Sequence, residues 1–396
     1  MIYLDHAATT PVDPIVRSAM LPYISEHFGN PSSVHAAGRT ARNAIDEARD
    51  RLAQVLHCMH REIVFTGSGS EADNLALRGA LERHGGTAGT HIVVSAIEHD
   101  AVLETARRLE ETGMATVTVV GCDSACRVDP DAVAAAVRDD TVLVSVMLVN
   151  NETGVGQDVG AIAAAVKRRN AVTLVHTDAV QALGRLRVDA SALGVDMLSL
   201  SAHKVYGPKG TGALWVRHGV HIGAQVTGGG QERNRRSGTE NVAGIVGFGI
   251  AAALVEARRD AETSRQAALC RRLEQAVVGA VPSVVVTGDA RHRAAGFVSL
   301  AFPGVRTDLL LTVLDSAGVC ASGGSACASG APTPSHVLQA MGLDPGAAGG
   351  ALRCTVGAAT TDADIDAAAR AVIRAVAQLR DSAGAGLRQP EVGANL

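Results

Sequence analysis

Between residues 62 and 217 short apolar runs alternate with segments of helical period, and no other property of this chain restricts its fold as tightly. The runs are EIVFT at 62, HIVVSAI at 91, ATVTVV at 115, TVLVSVMLV at 141, VTLVHTDA at 172, VDMLSLSA at 195 and TGALWV at 211. Helical stretches begin near Ser70 and Ala101 and cover about 130–138 and 159–169. Short strands separated by helices require crossover connections, and crossovers build a mainly parallel sheet. The runs are continuously apolar, as strands covered on both faces must be. Composition agrees, because 47% of the residues are hydrophobic and only 2% aromatic: the interior is Ala, Val, Leu and Ile, which let helices lie close on a sheet. The class is α/β, with its sheet core at about 62–217.

At 396 residues the chain exceeds what one core usually fills. Residues 241–280, rich in Ala and charge, read as a helix leading to a second region. There SVVVTG, FVSLAF and ALRCTV read as strands, and TTDADIDAAARAVIRAVAQLRD reads as a closing helix. Thr361 is its expected N-cap, and Ile365, Val372, Val376 and Leu379 recur at helical spacing. A large domain at 16–260 is therefore expected to precede a smaller α+β domain at 261–382. Residues 1–15 should pack with the small domain, and the Gly/Ala/Pro-punctuated tail 383–396 should be disordered.

The formal charge is -4, with 36 basic and 40 acidic residues well mixed. That gives no electrostatic case for nucleic acid or an anionic membrane, and leaves a small molecule or another protein as partner. No run approaches a membrane span, and MIYLDHAATTPVDP lacks the basic start and apolar core of a secretion signal, so the cytoplasm is the expected compartment. The seven cysteines are odd in number and scattered, which favours free thiols. Cys122 and Cys126 form a CxxxC without a second Cys/His pair at a usable spacing, so no metal site is expected.

Two residues leave the ends of apolar strands in a way that suggests chemistry. In SLSAHKVYGPKG, Lys204 follows a strand and precedes a Gly-Pro turn; a lysine that forms an imine must be partly desolvated, and a strand end entering a crevice provides that. In LVHTDAVQ, Asp178 stands where it could cap a helix or could pair with the pyridine nitrogen of pyridoxal phosphate. Both lie at the strand edge where open α/β sheets bind ligands. FTGSGSEADN places Gly69 and Ser70 at a helix start suited to a phosphate, though a flexible turn has the same composition. GGGQERNRRSGTEN, with Thr239 and several arginines, reads equally as a solvated loop. The segment 321–334, ASGGSACASGAPTP, surrounds Cys327 with small residues that leave the backbone free to move, as a carrier of a transferred atom would need; an inert free thiol is the plainer reading.

Taken together, YLDHAATTP, FGNPSSVH, EIVFTGSGSEADN, EHDAV, VNNETG, HTDAVQ, SAHKVYGPKG, GGGQERNRRSGTEN, GSACASGAPTPSHVL and LRCTVG resemble, in order and over roughly 380 residues, the cysteine desulfurases of the class V aminotransferase group, nearest the nitrogen-fixation and iron-sulfur-assembly branch. The resemblance implies the pyridoxal-phosphate fold-type I and a homodimer. It implies that Lys204 holds the cofactor, Asp178 meets the ring nitrogen, and Gln181 and Asn151 contact the ring hydroxyl, Asn151 also the substrate. Gly69, Ser70, Ser201 and His203 would bind the phosphate, with Thr239 reaching the phosphate of the neighbouring subunit. His99 would stack on the ring and move protons, Arg353 would grip the carboxylate of L-cysteine, and Cys327 would take the sulfur as a persulfide for an acceptor protein.

The chain departs from the family pattern at Ser70, where threonine is commoner, at Ala202, where glycine is frequent, and at Cys354, where a larger apolar residue is usual; none removes a catalytic group. An aminotransferase of the same fold would use Lys204, Asp178 and Arg353 but has no need of Cys327. A selenocysteine lyase would share the whole set. A non-catalytic sulfur-system scaffold would have no use for an imine lysine.

Overall fold

The computed structural model describes residues 1–83, 89–324 and 335–386. Cys327 and most of the small-residue segment 321–334 lie outside them, as does the tail beyond 386.

Twelve strands are described: β1 (Ile2–Tyr3), β2 (Ile63–Thr66), β3 (His91–Ser95), β4 (Thr116–Val120), β5 (Thr141–Ser145), β6 (Leu174–Asp178), β7 (Met197–Ser201), β8 (Gly212–Val216), β9 (Val285–Val286), β10 (Phe297–Ala301), β11 (Val319–Cys320) and β12 (Ala351–Thr355). Seven of them form one sheet in the order β2-β8-β7-β6-β5-β3-β4. All neighbouring pairs are parallel except those of β8, which runs antiparallel to both β2 and β7. The direction in which the chain adds strands reverses between β3 and β5, and such a reversal opens a crevice at the C-terminal ends.

Both faces of this sheet are buried. On β3, Val93 packs into one apolar core with Ile45, Leu52, Val144, Val175 and Phe248, while Ile92 and Val94 turn to a second core with Leu75, Leu81, Val102 and Leu143. This two-sided covering is why the strand sequences are continuously apolar. The helices Ala36–Val55 and Val242–Ala280 cross closely, and a Cβ on Gly249 would come within 2.7 Å of the Ala48 Cα, so glycine is required there.

A third core surrounds the antiparallel sheet β12-β10-β9 and the parallel pair β1-β11. Leu4, Leu273, Val277, Phe302, Leu314, Ile365, Val372 and Val376 fill it, with Leu379 at its margin. One helix of 39 residues, Val242–Ala280, runs through position 260 unbroken: Phe248 and Ala252 belong to the first core, Leu269 and Val277 to the third. The closing helix, Asp362–Gly386, starts at Thr361, whose Oγ1 accepts from the Asp364 N–H at 3.2 Å while the Asp364 carboxylate accepts from the Thr361 N–H at 2.9 Å. It continues four residues past the expected limit at 382, because alanine extends a helix readily even between glycines. Among the described residues no helix is long and apolar enough to cross a membrane.

Candidate active site

β2, β3, β5, β6 and β7 run in one direction, and each delivers a polar group at its C-terminal end. After β2 come Ser68, Gly69 and Ser70, opening the helix Gly69–Arg83; after β3 comes His99, and after β5 the turn Asn150–Gly154 with Asn151. β6 ends on Asp178, followed by Gln181, and β7 ends on Ser201, followed by His203 and Lys204. All these residues except Asn150 and Thr153–Gly154 line one cavity of about 470 Å³, which Arg353 enters from β12 of the other sheet. The size suits a cofactor with a small substrate. Gly69 allows the close approach that shapes this wall, since a Cβ there would sit 2.9 Å from Val180 and 3.3 Å from Ser201.

Lys204 Nζ donates to the carbonyls of Ala7 at 2.5 Å and Ala8 at 2.7 Å. Burial, reinforced by the Arg353 charge, pulls its amine down to about 8, although Asp178 and Asp5 pull the other way. Asp178 is buried and accepts from the Val180 N–H at 2.8 Å. Desolvation pushes its carboxyl up, against the opposing pull of His99 and Lys204. Behind it Asp73 is buried too and is pushed further up by burial and by Asp178 itself. Of the two carboxyls, Asp73 is pushed the further up, while the Val180 N–H and the nearby Lys204 and His99 hold Asp178 back.

Arg353 uses three of its five N–H donors within the chain: Nη1 to the carbonyls of Asn151 at 2.7 Å and Gly324 at 3.2 Å, and Nη2 to the Asp5 carboxylate at 2.8 Å. Its Nε has no partner among the described residues. His99 is the N-cap of the helix Asp100–Glu111, its Nδ1 accepting from the Ala101 N–H at 3.0 Å. A nitrogen that accepts there has no proton of its own, which leaves Nε2 as the ring's donor. His203 is pulled down to about 4 by burial and by Lys204 and Lys209, and is neutral near pH 7.

Asn151 Oδ1, Gln181 Oε1, Ser201 Oγ, Asp73 Oδ1, Glu152 Oε1 and Arg353 Nε are buried and unpartnered among the described residues, and all belong to residues lining the cavity. An orphaned buried polar atom costs about 1–3 kcal/mol, so their convergence fits a polar guest that supplies the missing partners. A phosphorylated pyridine matches the set: a helix N-terminus for the phosphate, a carboxylate for a ring nitrogen, amide and hydroxyl groups for ring substituents, and an amine that can be neutral.

Thr239 stands apart. It lines a separate cavity of about 140 Å³ with Thr66, Arg236 and Glu240. The loop before it is not the solvated one its composition suggests: Glu232 is buried and paired with Arg49, whose Nη1 and Nη2 each donate to it at 2.7 Å. Glu232 also accepts from the Phe65 N–H of β2 at 3.0 Å.

Several residues that shape the site were not singled out from sequence. Asp73 reads as an ordinary polar position on a helix, and its burial follows from a tertiary contact. Glu152 accepts from Ser335 Oγ at 2.5 Å, and His336 Nε2 lies 2.9 Å from the Glu98 carbonyl oxygen, so the chain returns to the cavity rim at 335–336 just as it leaves it at Gly324. Asp5 and the Ala7 and Ala8 carbonyls come from the first residues. The signal that could have found them is the polar DHAATT following an apolar IYL.

A profile of the aminotransferase class-V family matches residues 2–368. A protein named cysteine desulfurase from Gluconacetobacter diazotrophicus is 44% identical over 381 residues, covering 96% of this chain and 94% of that protein. One named cysteine desulfurase IscS from Dictyoglomus turgidum is 41% identical over 379 residues, covering 96% and 95%. Among solved structures, a NifS-like protein superposes with a TM-score of 0.89 at 34% identity over 95% of this chain and 99% of its own. SspA in complex with cysteine superposes with a TM-score of 0.80 at 34% identity, over 90% and 99%.

Proposed function

Because this chain belongs to the aminotransferase class-V family, we propose that it is a pyridoxal-phosphate-dependent cysteine desulfurase, which converts L-cysteine to L-alanine and passes the sulfur, as a persulfide on Cys327, to an acceptor protein. The observation that carries this reading is the gathering of Lys204, Asp178 and Arg353 around one cavity, with Lys204 near the pH at which half of it is neutral.

When bound, pyridoxal phosphate supplies an electron sink for the pair released as the substrate Cα–H bond breaks. Lys204 Nζ is the group that holds its aldehyde and, once free, accepts the α-proton. Asp178 offers the ring nitrogen a buried carboxylate, while Gln181, Asn151, Ser201, His203 and the first N–H groups at Gly69 and Ser70 take its remaining polar atoms. Arg353 keeps two N–H groups, Nε and one on Nη2, and this edge of the guanidinium can grip a carboxylate with two parallel bonds. His99 offers its Nε2–H to steady a thiolate by a hydrogen bond or to give up a proton. The Cys327 thiolate attacks the substrate sulfur and the carbon–sulfur bond breaks with its electron pair left on carbon, which takes up a proton to give alanine while the sulfur stays on Cys327. Gly324 lines the cavity and Ser335 is bonded to Glu152 of its wall, with ten residues, 325–334, between them, which supports a role for Cys327 beside the substrate.

A second copy of the chain completes the site in this reading. Thr239 does not reach the cavity of its own chain, and Ile15, Leu21, Ile24, Phe28 and Val34 expose 52–88% of their surface near the N-terminus, an apolar face suited to a partner copy.

The test is turnover of L-cysteine by the loaded protein under a reductant, with sulfide and alanine expected in equal amounts. Cys327→Ala should lower sulfide release by about 10²-fold or more while L-cysteine still perturbs the cofactor absorbance. Release of a keto acid in place of sulfide would replace the reading with transamination, and unchanged sulfide release from the variant would remove Cys327 from the mechanism. A second expectation concerns loading. Only the neutral amine attacks an aldehyde, and below about 8 the neutral fraction of Lys204 falls about tenfold per pH unit. Covalent uptake of pyridoxal phosphate by the apoprotein, followed by visible absorbance, should therefore slow by about that factor between pH 7 and pH 6. A rate flat over that interval would show that another group limits the attachment.

A further inference from the structure

Cys122 and Cys126 lie in a tight turn between β4 and the helix Pro130–Ala136, outside the cavity described above. The Asp123 side chain folds this turn, its Oδ1 accepting from the N–H groups of Ala125 at 2.9 Å and Arg127 at 2.8 Å. Its backbone closes the same turn, the Asp123 carbonyl accepting from Cys126 N–H at 3.0 Å and the Asp123 N–H donating to Arg127 at 2.9 Å. Cys126 is held in the left-handed region, with φ of 65°, where a residue with a Cβ rarely sits. The turn thereby folds Cys126 back toward Cys122, four positions earlier, and the Cys122 side chain packs against the same apolar cluster that contains Cys126.

The turn is pinned from outside as well. Ala125 O accepts from the Asp289 N–H at 3.0 Å, Cys126 O accepts from Gln157 Nε2 at 2.8 Å, and Cys126 Sγ accepts from Thr153 Oγ1 at 3.4 Å. Nothing in the proposed desulfuration uses these sulfurs. Among the described residues no group of three or more His, Cys, Asp or Glu side chains is placed to hold a metal ion.

We propose that Cys122 and Cys126 form a reversible dithiol–disulfide site that is oxidised by low-molecular-weight disulfides of the glutathione type. The two sulfurs are unequal in the way such exchange requires. Cys122 is half-buried and within reach of a small reagent, whereas Cys126 is sealed from solvent. Interaction between the two thiols pulls the Cys122 thiol down and pushes the Cys126 thiol up. Burial by contrast pushes Cys58, Cys270 and Cys354 up to about 12, which keeps them inert. In the first step the Cys122 thiolate attacks one sulfur of glutathione disulfide, the reagent's sulfur–sulfur bond breaks, and one glutathione thiolate leaves. In the second, Cys126 attacks Cys122 Sγ and its proton passes to the second glutathione, which leaves as a thiol. Two protein thiols are oxidised and one external disulfide is reduced, so atoms and electrons balance.

The test reads one peptide. Trypsin cleaves after Arg108 and Arg127, and the product 109–127 contains Cys122 and Cys126 and no other cysteine. After the folded full-length protein meets glutathione disulfide, this peptide should be two hydrogen atoms lighter, free of glutathione, and alkylated twice only after reduction. Cys126→Ser should instead trap one glutathione on Cys122, and Cys122→Ser should leave Cys126 unmodified in the folded protein. Disulfide formation should be at least about tenfold faster in the folded chain than in urea, since the turn holds the sulfurs together. The proposal is overturned if both thiols stay free, if the wild-type peptide accumulates the glutathione adduct as Cys126→Ser does, or if folding brings no rate advantage.

Discussion

Replacing Lys204 with alanine should lower L-cysteine-dependent sulfide formation by at least about 10³-fold and leave pyridoxal phosphate removable by gel filtration. Two functions are lost at once, the covalent hold on the aldehyde and the base that takes the α-proton. Folding should not be lost with them. The folded-state pKa of Lys204, about 8, lies below its ordinary value of 10.5, so the unfolded chain binds the extra proton between those values. Stability attributable to this group therefore rises with pH across that window, and below about 8 burying the amine costs stability. Removing it at pH 7 relieves that cost, against which stand the two hydrogen bonds to Ala7 and Ala8. The apoprotein of the variant should melt no lower than the parent apoprotein. Turnover within tenfold of the parent by a folded variant would disprove the assignment of Lys204.

The second large effect is on stability. Arg49→Met should destabilise the protein by about 3–5 kcal/mol, because it leaves Glu232 as a buried charge without its counter-ion. Both side chains are sealed, at 3% and 2% exposure, and the guanidinium also donates to the Ile63 carbonyl at 2.8 Å and lies 4.7 Å from the Phe65 ring centre. The pair also fixes an unfavourable backbone: Glu232, Arg233 and Asn234 all adopt left-handed conformations, with φ of 49°, 59° and 63°. Each costs of order 1–3 kcal/mol and persists only where surrounding contacts enforce it. A thermal midpoint lower by several degrees is expected. Arg49→Met combined with Glu232→Met should recover part of the loss, the remainder reflecting the unpaired Phe65 N–H. If the single variant melts with the parent, the pair is not what holds the loop that leads to Thr239.

The arrangement of elements was readable in the chain because strands buried on both faces appear as short continuous apolar runs, whereas the crossover helices between them carry apolar residues at a period of 3.6. Asp178 and Lys204 were readable for the same reason: once the strands are located, Asp178 is the last residue of one and Lys204 follows the end of the next. Gly69, Ser70, Asn151, Gln181 and His99 lie just past strand ends too, but only the family resemblance separated them from other loop residues. Arg353 sits within a strand of a different sheet, and no local pattern reports that β12 points a guanidinium into the crevice of the large sheet. Asp73 and Glu232 escaped altogether. Each looks like a polar surface residue until long-range contacts, with Asp178 in one case and Arg49 in the other, take it out of water.

The 39-residue helix Val242–Ala280 has one further consequence. At 1.5 Å per residue it is a rod of about 58 Å whose two ends are embedded in different cores, and those cores form opposite jaws of the cavity. Jaws fixed to one beam cannot swing about a hinge without bending it. Entry and release of small molecules must then be accommodated by side chains and by the residues that skirt the rim, such as Ala321–Gly324, rather than by rotation of one half against the other. A radius of gyration unchanged by saturating L-cysteine, measured by X-ray scattering, is the corresponding expectation; marked compaction would mean that the beam flexes.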